Sequence, residues 1–340
     1  MKTRFAIFGL LSALSISFWA VSPAGGQAGG APAVAARAAL GGAPAVPELP
    51  EVEAYVHALR PRIEGRLLER VRIASVSLLK TVEPPPAAAE GIAVVSVGRA
   101  GKRVVLELDT GLFLVLHLMV AGRLHWRQPG APMPRKVGLA ALDFPTGSLI
   151  LTEAGTTRRA RMWLVVGREA LARLDPGGIE VEQATPEAFR AAVLAERHTL
   201  KRALTDARLL SGIGGAFADE ILHRARLSPL QLNVNLSVEE MERLRVAARD
   251  TLGDWRRRRI AETGDGFPDK VTAFHPAMSV HGKAGQPCPV CGTMVRRIVY
   301  AERETDYCPS CQTGGRILAD RSLSRLLRDA YPRRIEDLEG

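Results

Sequence analysis

The sequence contains few cysteines and only one long apolar run, and each shortage excludes a class of protein. Four of the 340 residues are cysteine, too few for the disulfide framework that holds small secreted domains together. Beyond residue 46, no segment approaches the ~20 apolar residues that a membrane-spanning helix needs. We therefore expect neither a disulfide scaffold nor an integral membrane protein, and no internal repeat is evident.

The composition indicates a folded, basic protein. Hydrophobic residues make up 46% of the chain and charged residues 24%, which excludes wholesale disorder, and the length suffices for two or three domains. Lysine and arginine number 46 against 36 acidic residues, a net charge of +10. This excess favours a polyanionic partner such as nucleic acid or an acidic membrane surface, although many soluble proteins are basic without a specific reason.

The first 46 residues have the layout of a secretory signal peptide. Lys2 and Arg4 precede an apolar run from Phe5 to Val21, and a Gly/Ala/Pro-rich stretch follows as far as Val46. This stretch has too little complexity to build a core. Taken literally, the segment predicts export of the protein.

The next part of the chain predicts one helix and then strands. Pro50 suits a first helical position, apolar residues follow at helical spacing, and Pro61 is predicted to end the helix. Short runs of strand-forming residues, separated by turn residues, follow between positions 62 and 166. We expect an antiparallel sandwich or barrel there.

From residue 185 to about residue 260 the pattern is helical. Thr185 caps a helix with a proline at its first position, and Ser237 with Glu240 forms a capping box. Between these helices, a glycine-rich turn at residues 211–215 leads into another helix. Its backbone amides could bind a phosphate at the helix N-terminus, but glycine-rich helix entrances are more often packing devices.

All four cysteines lie in one short segment, as two C-x-x-C pairs separated by sixteen residues: Cys288 and Cys291, then Cys308 and Cys311. Two such pairs are typical of a zinc ribbon, and redox cysteines or two disulfides are the alternatives. Four sulfur ligands leave no open coordination position, so we expect a structural Zn²⁺ without a catalytic role. The bases between the pairs suit phosphate contact or a solvated charged face.

Several short motifs resemble the formamidopyrimidine-DNA glycosylase (Fpg/Nei) family. The run PELPEVE at residues 47–53 is similar to the amino terminus of that family, and the family's domain order matches the order of patterns described above. The other matches are HLMVAGRL at 117–124, GIGGAFADE at 212–220, Lys102, Lys201 and Arg303. The resemblance covers about residues 47–312.

This resemblance implies an α+β multidomain fold. It consists of an N-terminal antiparallel β-sandwich with a leading helix, a helix-two-turn-helix domain and a C-terminal zinc-ribbon hairpin. The expected divisions are a signal-like or misassigned extension (1–46), the catalytic sandwich (47–175), the helix-two-turn-helix domain (185–275), the zinc hairpin (280–315) and a basic tail (316–340).

The resemblance also implies a bifunctional DNA glycosylase and AP lyase that removes oxidised bases in base-excision repair. A damaged base is flipped into a pocket, and the amine of an amino-terminal proline attacks the sugar C1′ to give a Schiff base. By resemblance, Pro47 is the nucleophile and Glu48 protonates the opening sugar. Lys102 assists β-elimination, and Arg303 assists δ-elimination and phosphate binding.

The same resemblance supplies the expected partners. The predicted DNA-binding residues are His117, Arg158, Lys201, Gly214 and Gly215. The expected partner is damaged double-stranded DNA, and one structural Zn²⁺ is the expected cofactor, with no small-molecule cofactor. We expect a monomer because one flipped base needs only one subunit.

Pro47 lies in mid-chain in this sequence, where its nitrogen would be an inert amide. Val46 directly precedes it, and bacterial GUG codons can initiate translation as methionine, which is removed readily before proline. We therefore hypothesise that residues 1–46 are a misassigned extension and that the functional, cytoplasmic and nucleoid-associated protein begins at Pro47. If those residues remain, we expect a catalytically silent protein that binds DNA lesions.

The chain departs from the family pattern at three places. Ala160 stands where the family often has a phenylalanine that wedges beside the flipped base. Val120 stands where the family has a methionine that fills the vacated space, and Gly215 replaces an asparagine of the helix-turn motif. These departures concern lesion choice and duplex preference rather than reaction type. The rival interpretations are a non-enzymatic lesion binder, favoured by Ala160, and an exported protein that uses the zinc fold for another anion.

Overall fold

A computed structural model of the chain describes residues 46–155, 157–268, 271, 274–300, 303–319 and 331–338. Its first regular element is helix α1 (Leu49–Ile63). The prediction that this helix ends at Pro61 is wrong. Pro61 has no amide hydrogen, but Ile63 is fully buried and anchors the last turn, and Glu64 N donates to Arg60 O at 3.1 Å. The signal-like segment 1–45 lies outside the described residues.

Two antiparallel sheets follow α1. Their strands are β1 (Leu67–Leu68), β2 (Arg70–Ile73), β3 (Ile92–Ala100), β4 (Arg103–Leu108), β5 (Leu112–His117), β6 (Gly122–Arg127), β7 (Gly138–Phe144), β8 (Gly147–Glu153) and β9 (Arg161–Val166). Among the described residues, one sheet has five strands in the order β1-β3-β4-β5-β9, and the other has four in the order β2-β7-β8-β6.

One apolar core lies between the two sheets and α1. Leu106 and Leu114 reach it from the five-stranded sheet, Leu124 and Leu142 from the four-stranded sheet, and Tyr55 from α1. Side chains on alternate positions of each strand point to the same face, so each sheet contributes one apolar face to this core. The predicted sandwich with a leading helix is confirmed.

A helical region follows the sandwich. Helix α2 (Gly167–Ala172) comes first and packs on the five-stranded sheet. The other helices are α3 (Pro186–Leu194), α4 (Leu200–Thr205), α5 (Gly215–Ala225) and α6 (Val238–Thr263). The predicted caps are present: the Thr185 hydroxyl accepts from Ala188 N at 3.2 Å, and Ser237 and Glu240 form reciprocal side-chain to backbone bonds of 3.1 Å. Leu49, at the start of α1, belongs to the core of this region.

A small hairpin with its own core completes the described fold. Strand β10 (Arg296–Tyr300) pairs antiparallel with β11 (Arg303–Tyr307), and the short helix α7 (Pro309–Thr313) follows. Val280 and Val295 pack against Cys288 and Cys308. The leucine-rich part of the predicted tail, residues 320–330, lies outside the described residues. No helix in the described part of the chain is long and apolar enough to cross a membrane.

Candidate active site

The carboxylate of Glu48 lies at the N-terminus of α5. It accepts hydrogen bonds from the backbone amides of Gly214 at 2.5 Å, Ala216 at 2.9 Å and Phe217 at 3.3 Å, and the residue is only 2% exposed. The first amides of a helix have no intrahelical partner, and they carry the positive end of the helix dipole. The helix end therefore stabilises a buried carboxylate beside the start of α1.

This arrangement differs from the expectation that Gly214 offers its amide to a DNA phosphate. The anion at that amide is Glu48 of the same chain, because α1 begins directly against the turn before α5. Leu49 N donates to Gly212 O at 3.0 Å, and the Leu49 side chain lies 2.7 Å from the position that a Cβ on Gly212 would take. Gly212 also has a φ of +79°, so glycine is required there for two reasons.

Lys102 meets Glu48 at Gly214. A Cβ on Gly214 would lie 2.5 Å from the Glu48 carboxylate and 2.7 Å from Lys102 Nζ. Burial lowers the pKa of Lys102 from its ordinary value, although the charges of Glu48 and Glu51 oppose that shift. The structure thus brings together the two side chains predicted to act as acid and as β-elimination base, with a more readily deprotonated amine.

Glu51 is a second buried carboxyl group at this site. Its Oε2 accepts the Glu48 amide at 3.0 Å, and Arg259 Nε donates to its Oε1 at 3.2 Å. Burial raises the pKa of Glu51 to about 7, the charge of Arg259 opposes this rise, and the charge of Glu48 adds to it. The sequence prediction assigned Glu51 no role, although its position three residues after Glu48 is the spacing of a capping box.

Pro47 is buried immediately before Glu48, and Val46 precedes it in the described chain. Its nitrogen is therefore the amide of the Val46–Pro47 bond in this sequence. The next residue, Glu48, carries the carboxylate that lies with Lys102 Nζ at Gly214.

His117 lies on β5 at the edge of this site. The sheet register sets it between Arg103 on β4 and Arg161 on β9. Burial, together with the charges of Arg103, Lys102 and Arg161, lowers the pKa of His117 to about 3. Its Nδ1 accepts from Met119 N at 3.0 Å, so the neutral ring carries its proton on Nε2. That N–H is the group that His117 can offer to a phosphate.

The four cysteines come together below the hairpin. Their sulfur atoms all lie within 4.8 Å of one another, with separations of 3.4 Å from Cys291 to Cys308 and of 3.9 Å from Cys288 to Cys311. Four sulfurs at a Zn–S distance of ~2.3 Å in a tetrahedron are ~3.8 Å apart, so the cluster fits one structural zinc ion. His223 Nε2 lies 3.2 Å from Cys288 Sγ and supports that ligand.

Three family profiles match successive parts of the chain. The formamidopyrimidine-DNA glycosylase N-terminal domain matches residues 46–161, the H2TH domain of the same glycosylase matches 174–256, and the zinc finger found in FPG and IleRS matches 285–314. A formamidopyrimidine-DNA glycosylase from Symbiobacterium thermophilum is 34% identical over 288 residues, which cover 78% of this chain and 89% of that protein. The chain belongs to the formamidopyrimidine-DNA glycosylase family.

Solved structures of family members have the same fold. The crystal structure of MutM (Fpg) from Thermus thermophilus is 32% identical, covers 78% of this chain and 98% of its own, and gives a TM-score of 0.66. The Lactococcus lactis enzyme bound non-covalently to DNA containing an AP site is 24% identical, with a TM-score of 0.69 and coverage of 78% and 99%. At that identity the second likeness concerns the fold alone.

The remaining predicted DNA-binding residues of this family member differ in their surroundings. Lys201 Nζ donates to Asp219 Oδ1 at 2.6 Å and to Glu304 O at 2.8 Å, so its charge is already paired. Arg158 is exposed, and its Nη2 donates to Lys136 O at 3.0 Å. Gly215 begins α5, and no atom lies within 4 Å of the position that a Cβ would take there. The side chain of Arg303 lies outside the described part of the chain, although its backbone starts β11.

Ala160 is a buried member of the sandwich core. It is 4% exposed, and its amide, like that of Arg159, donates to the buried carboxylate of Glu153. The segment that carries a wedge in the family is therefore held against the sandwich core here.

Proposed function

We propose that this chain is a base-excision repair enzyme, a bifunctional DNA glycosylase and AP lyase for oxidised bases. The observation that carries the proposal is the meeting of Lys102 and the α5 N-terminus at Glu48, the residue that follows Pro47. This geometry supplies an acid and an amine base around one point, which is what opening a sugar and eliminating its phosphates requires. Relatives named formamidopyrimidine-DNA glycosylase support the same assignment.

The proposed reaction uses the Pro47 nitrogen as the nucleophile. The amine attacks C1′ of the damaged nucleotide, and the base departs with the electrons of the C1′–N bond. The Glu48 carboxylate takes the proton that the attacking nitrogen loses and delivers it to the ring oxygen, so that the sugar opens to an iminium adduct. Lys102 then removes a C2′ proton as the 3′ phosphate leaves, and Arg303 assists departure of the 5′ phosphate. This chemistry needs a secondary amine at Pro47, so we propose that the active form lacks the Val46–Pro47 bond.

The experiment compares two proteins that differ by one residue. One begins at Pro47 and the other at Val46, and each is incubated with a duplex carrying an abasic site or 8-oxoguanine and then with borohydride. We expect a trapped covalent adduct only with the protein that begins at Pro47. No adduct from that protein would reject the lyase assignment.

A second candidate function is lesion binding without catalysis. The buried Ala160 and the Val46–Pro47 bond favour it, because each removes a part of the expected machinery. Tight, lesion-selective duplex binding without any trapped adduct would support this alternative.

We propose damaged double-stranded DNA as the partner, a monomer as the active unit and the cytoplasm as the site of action. Crystal structures of relatives in complex with damaged DNA support the partner. Sedimentation of the protein with and without a duplex tests the monomer. Intact-mass analysis of the native protein in cytoplasmic and periplasmic fractions tests its location and its first residue.

A further inference from the structure

Helix α5 and the zinc hairpin are joined by two buried carboxylates with a histidine between them. Asp219 of α5 and Asp306 of β11 have side chains that are 1% and 0% exposed. His281 Nδ1 lies 2.9 Å from Asp219 Oδ2 and 4.0 Å from Asp306 Oδ2. Two buried like charges repel each other in a medium of low dielectric constant, so this contact needs compensating positive charge.

Other basic groups compensate the outer side of each carboxylate. Lys201 of α4 donates to Asp219 Oδ1 at 2.6 Å, and Arg297 of β10 donates to both oxygens of Asp306 at 2.7 and 2.9 Å. The imidazole of His281 lies between the carboxylates of Asp219 and Asp306. A protonated ring there interacts favourably with both, whereas a neutral ring interacts with one hydrogen-bond partner.

The surroundings fix the ring in that place. The amide of His281 donates to Glu220 Oε1 at 2.9 Å, and the next amide, of Gly282, donates to Asp306 Oδ2 at 2.7 Å. The ring of Phe274 stacks on the imidazole with 5.3 Å between centroids. The imidazole is therefore ordered by backbone contacts to both joined elements.

We propose that His281 is the positioning residue that holds the zinc hairpin against α5, and that its protonation makes the duplex affinity of this chain depend on pH near neutrality. This inference rests on the proposed function, because the hairpin contributes to affinity only if the chain binds DNA. His281 touches no reacting atom. It acts through the orientation of β11, which begins with Arg303.

The electrostatic surroundings agree in sign with this proposal. Burial lowers the pKa of His281, but the hydrogen bond to Asp219 and the charges of Asp219, Asp306 and Glu48 outweigh it and raise the pKa above the ordinary value of 6.5. A group whose pKa is raised by folding stabilises the folded arrangement fully below its unfolded pKa and loses that contribution as the pH rises through its folded pKa. Docking of the hairpin should therefore weaken on the alkaline side of pH 6.5.

The test compares His281→Gln, which is neutral at every pH, with His198→Gln as the matched control. His198 is also a half-buried histidine paired with a carboxylate, Glu196 Oε2 at 2.9 Å, but away from the hairpin. The dissociation constant for a duplex with an abasic-site analogue is measured from pH 6.5 to 9 at constant ionic strength, with zinc content checked at each pH. We expect the unmodified protein and His198→Gln to lose affinity as the pH rises, by at most about tenfold per pH unit for one linked proton. His281→Gln should bind weakly throughout, without that slope.

Two further measurements keep the outcome decisive. In the unmodified protein without DNA, the protection of the β10 and β11 amides from exchange, relative to the intrinsic rate at each pH, should fall over the pH range in which the His281 imidazole titrates by NMR. This measurement needs no variant to fold. In chains that begin at Pro47, borohydride trapping at saturating duplex should be the same with His281→Gln as without it. No adduct from the chain that carries His281 would reject the proposed function rather than this inference. The inference would be overturned if the DNA affinity of His281→Gln fell with pH as steeply as that of the unmodified protein. It would also be overturned if amide protection in the hairpin did not change over the titration of His281.

Discussion

Helix α5 makes two junctions, and they are built from different groups. At its N-terminus, main-chain amides hold the Glu48 carboxylate, and a tightly packed glycine brings Lys102 to the same point. One turn later, at Asp219, side-chain charges from α4, His281 and the hairpin meet. The first junction depends on backbone geometry, whereas the second depends on charge balance and on zinc. Substitutions at the first junction should therefore affect the reaction rate, whereas substitutions at the second should affect the DNA affinity.

Loss of the zinc site should have the largest effect, because it should disrupt the second junction and with it duplex binding. Cys308→Ser leaves three sulfurs and removes metal-coupled folding free energy that reaches ~10 kcal/mol in zinc-finger peptides. We expect the hairpin to unfold and tight duplex binding to be lost. The sandwich has its own core, so weak adduct formation should survive at high protein concentration in a chain beginning at Pro47. Zinc content, duplex affinity and trapping are measured together. Full-affinity binding without zinc would contradict the assigned role of the hairpin.

Removing Lys201 should also act on the second junction. Lys201→Met leaves the buried Asp219 without its cation, and loss of one partner of a buried ion pair costs about 3 kcal/mol. Affinity for damaged and undamaged duplexes should fall about equally, because a phosphate contact carries no base information.

The double variant Lys201→Met with Asp219→Asn separates these two effects. It should recover most of the free energy of unfolding but not the DNA affinity. Asp219→Asn alone is the control, because Asp219 also binds His281. If the double variant bound DNA as tightly as Asp219→Asn, Lys201 would be only a structural partner of Asp219. Duplex affinity that does not change with salt concentration would also argue against phosphate contacts.

A larger side chain at the first junction should slow the reaction and leave the DNA affinity unchanged. In Gly214→Ala the new methyl group would lie 2.5 Å from the Glu48 carboxylate and 2.7 Å from Lys102 Nζ, so one of them must move. A displacement of that size lowers catalytic rates on the order of 10²-fold. The trapping rate at saturating duplex, in chains that begin at Pro47, measures this loss. Gly215→Ala is the matched control, since open space surrounds that position, and it should keep the unmodified rate.

The smallest effect concerns the protonation of Glu51. Its pKa of about 7 lies above the ordinary value of 4.5, so it stabilises the fold below pH 4.5 and loses that contribution as the pH rises through 7. Between pH 5 and pH 8 the free energy of unfolding of the unmodified protein should fall by roughly 2 kcal/mol more than that of Glu51→Gln. Denaturant unfolding of both proteins at the two pH values checks this, and equal falls would contradict it.

The sequence predicted the first junction better than the second. PELPEVE and GIGGAFADE pointed to both partners of the Glu48 contact, and the paired cysteines predicted the zinc site from spacing alone. It did not predict that Glu48 would occupy the amide of Gly214, because that contact joins residues 166 positions apart. The Asp219–His281–Asp306 cluster was missed because its members come from three separate segments with no common spacing. The end of α1 was missed because burial of Ile63 outweighed the local effect of Pro61.

Leu49 has a consequence for the order in which the protein is made. It is among the first described residues to be synthesised, yet its side chain packs in the core of the helical region, against residues that follow it by more than a hundred positions. At a synthesis rate of roughly 5–20 residues per second, those partners emerge on the order of ten seconds later. During that interval the segment ahead of α1 cannot be buried against α5. Under the hypothesis that translation starts at position 46, removal of the initiator methionine would fall within that interval, before folding buries Pro47.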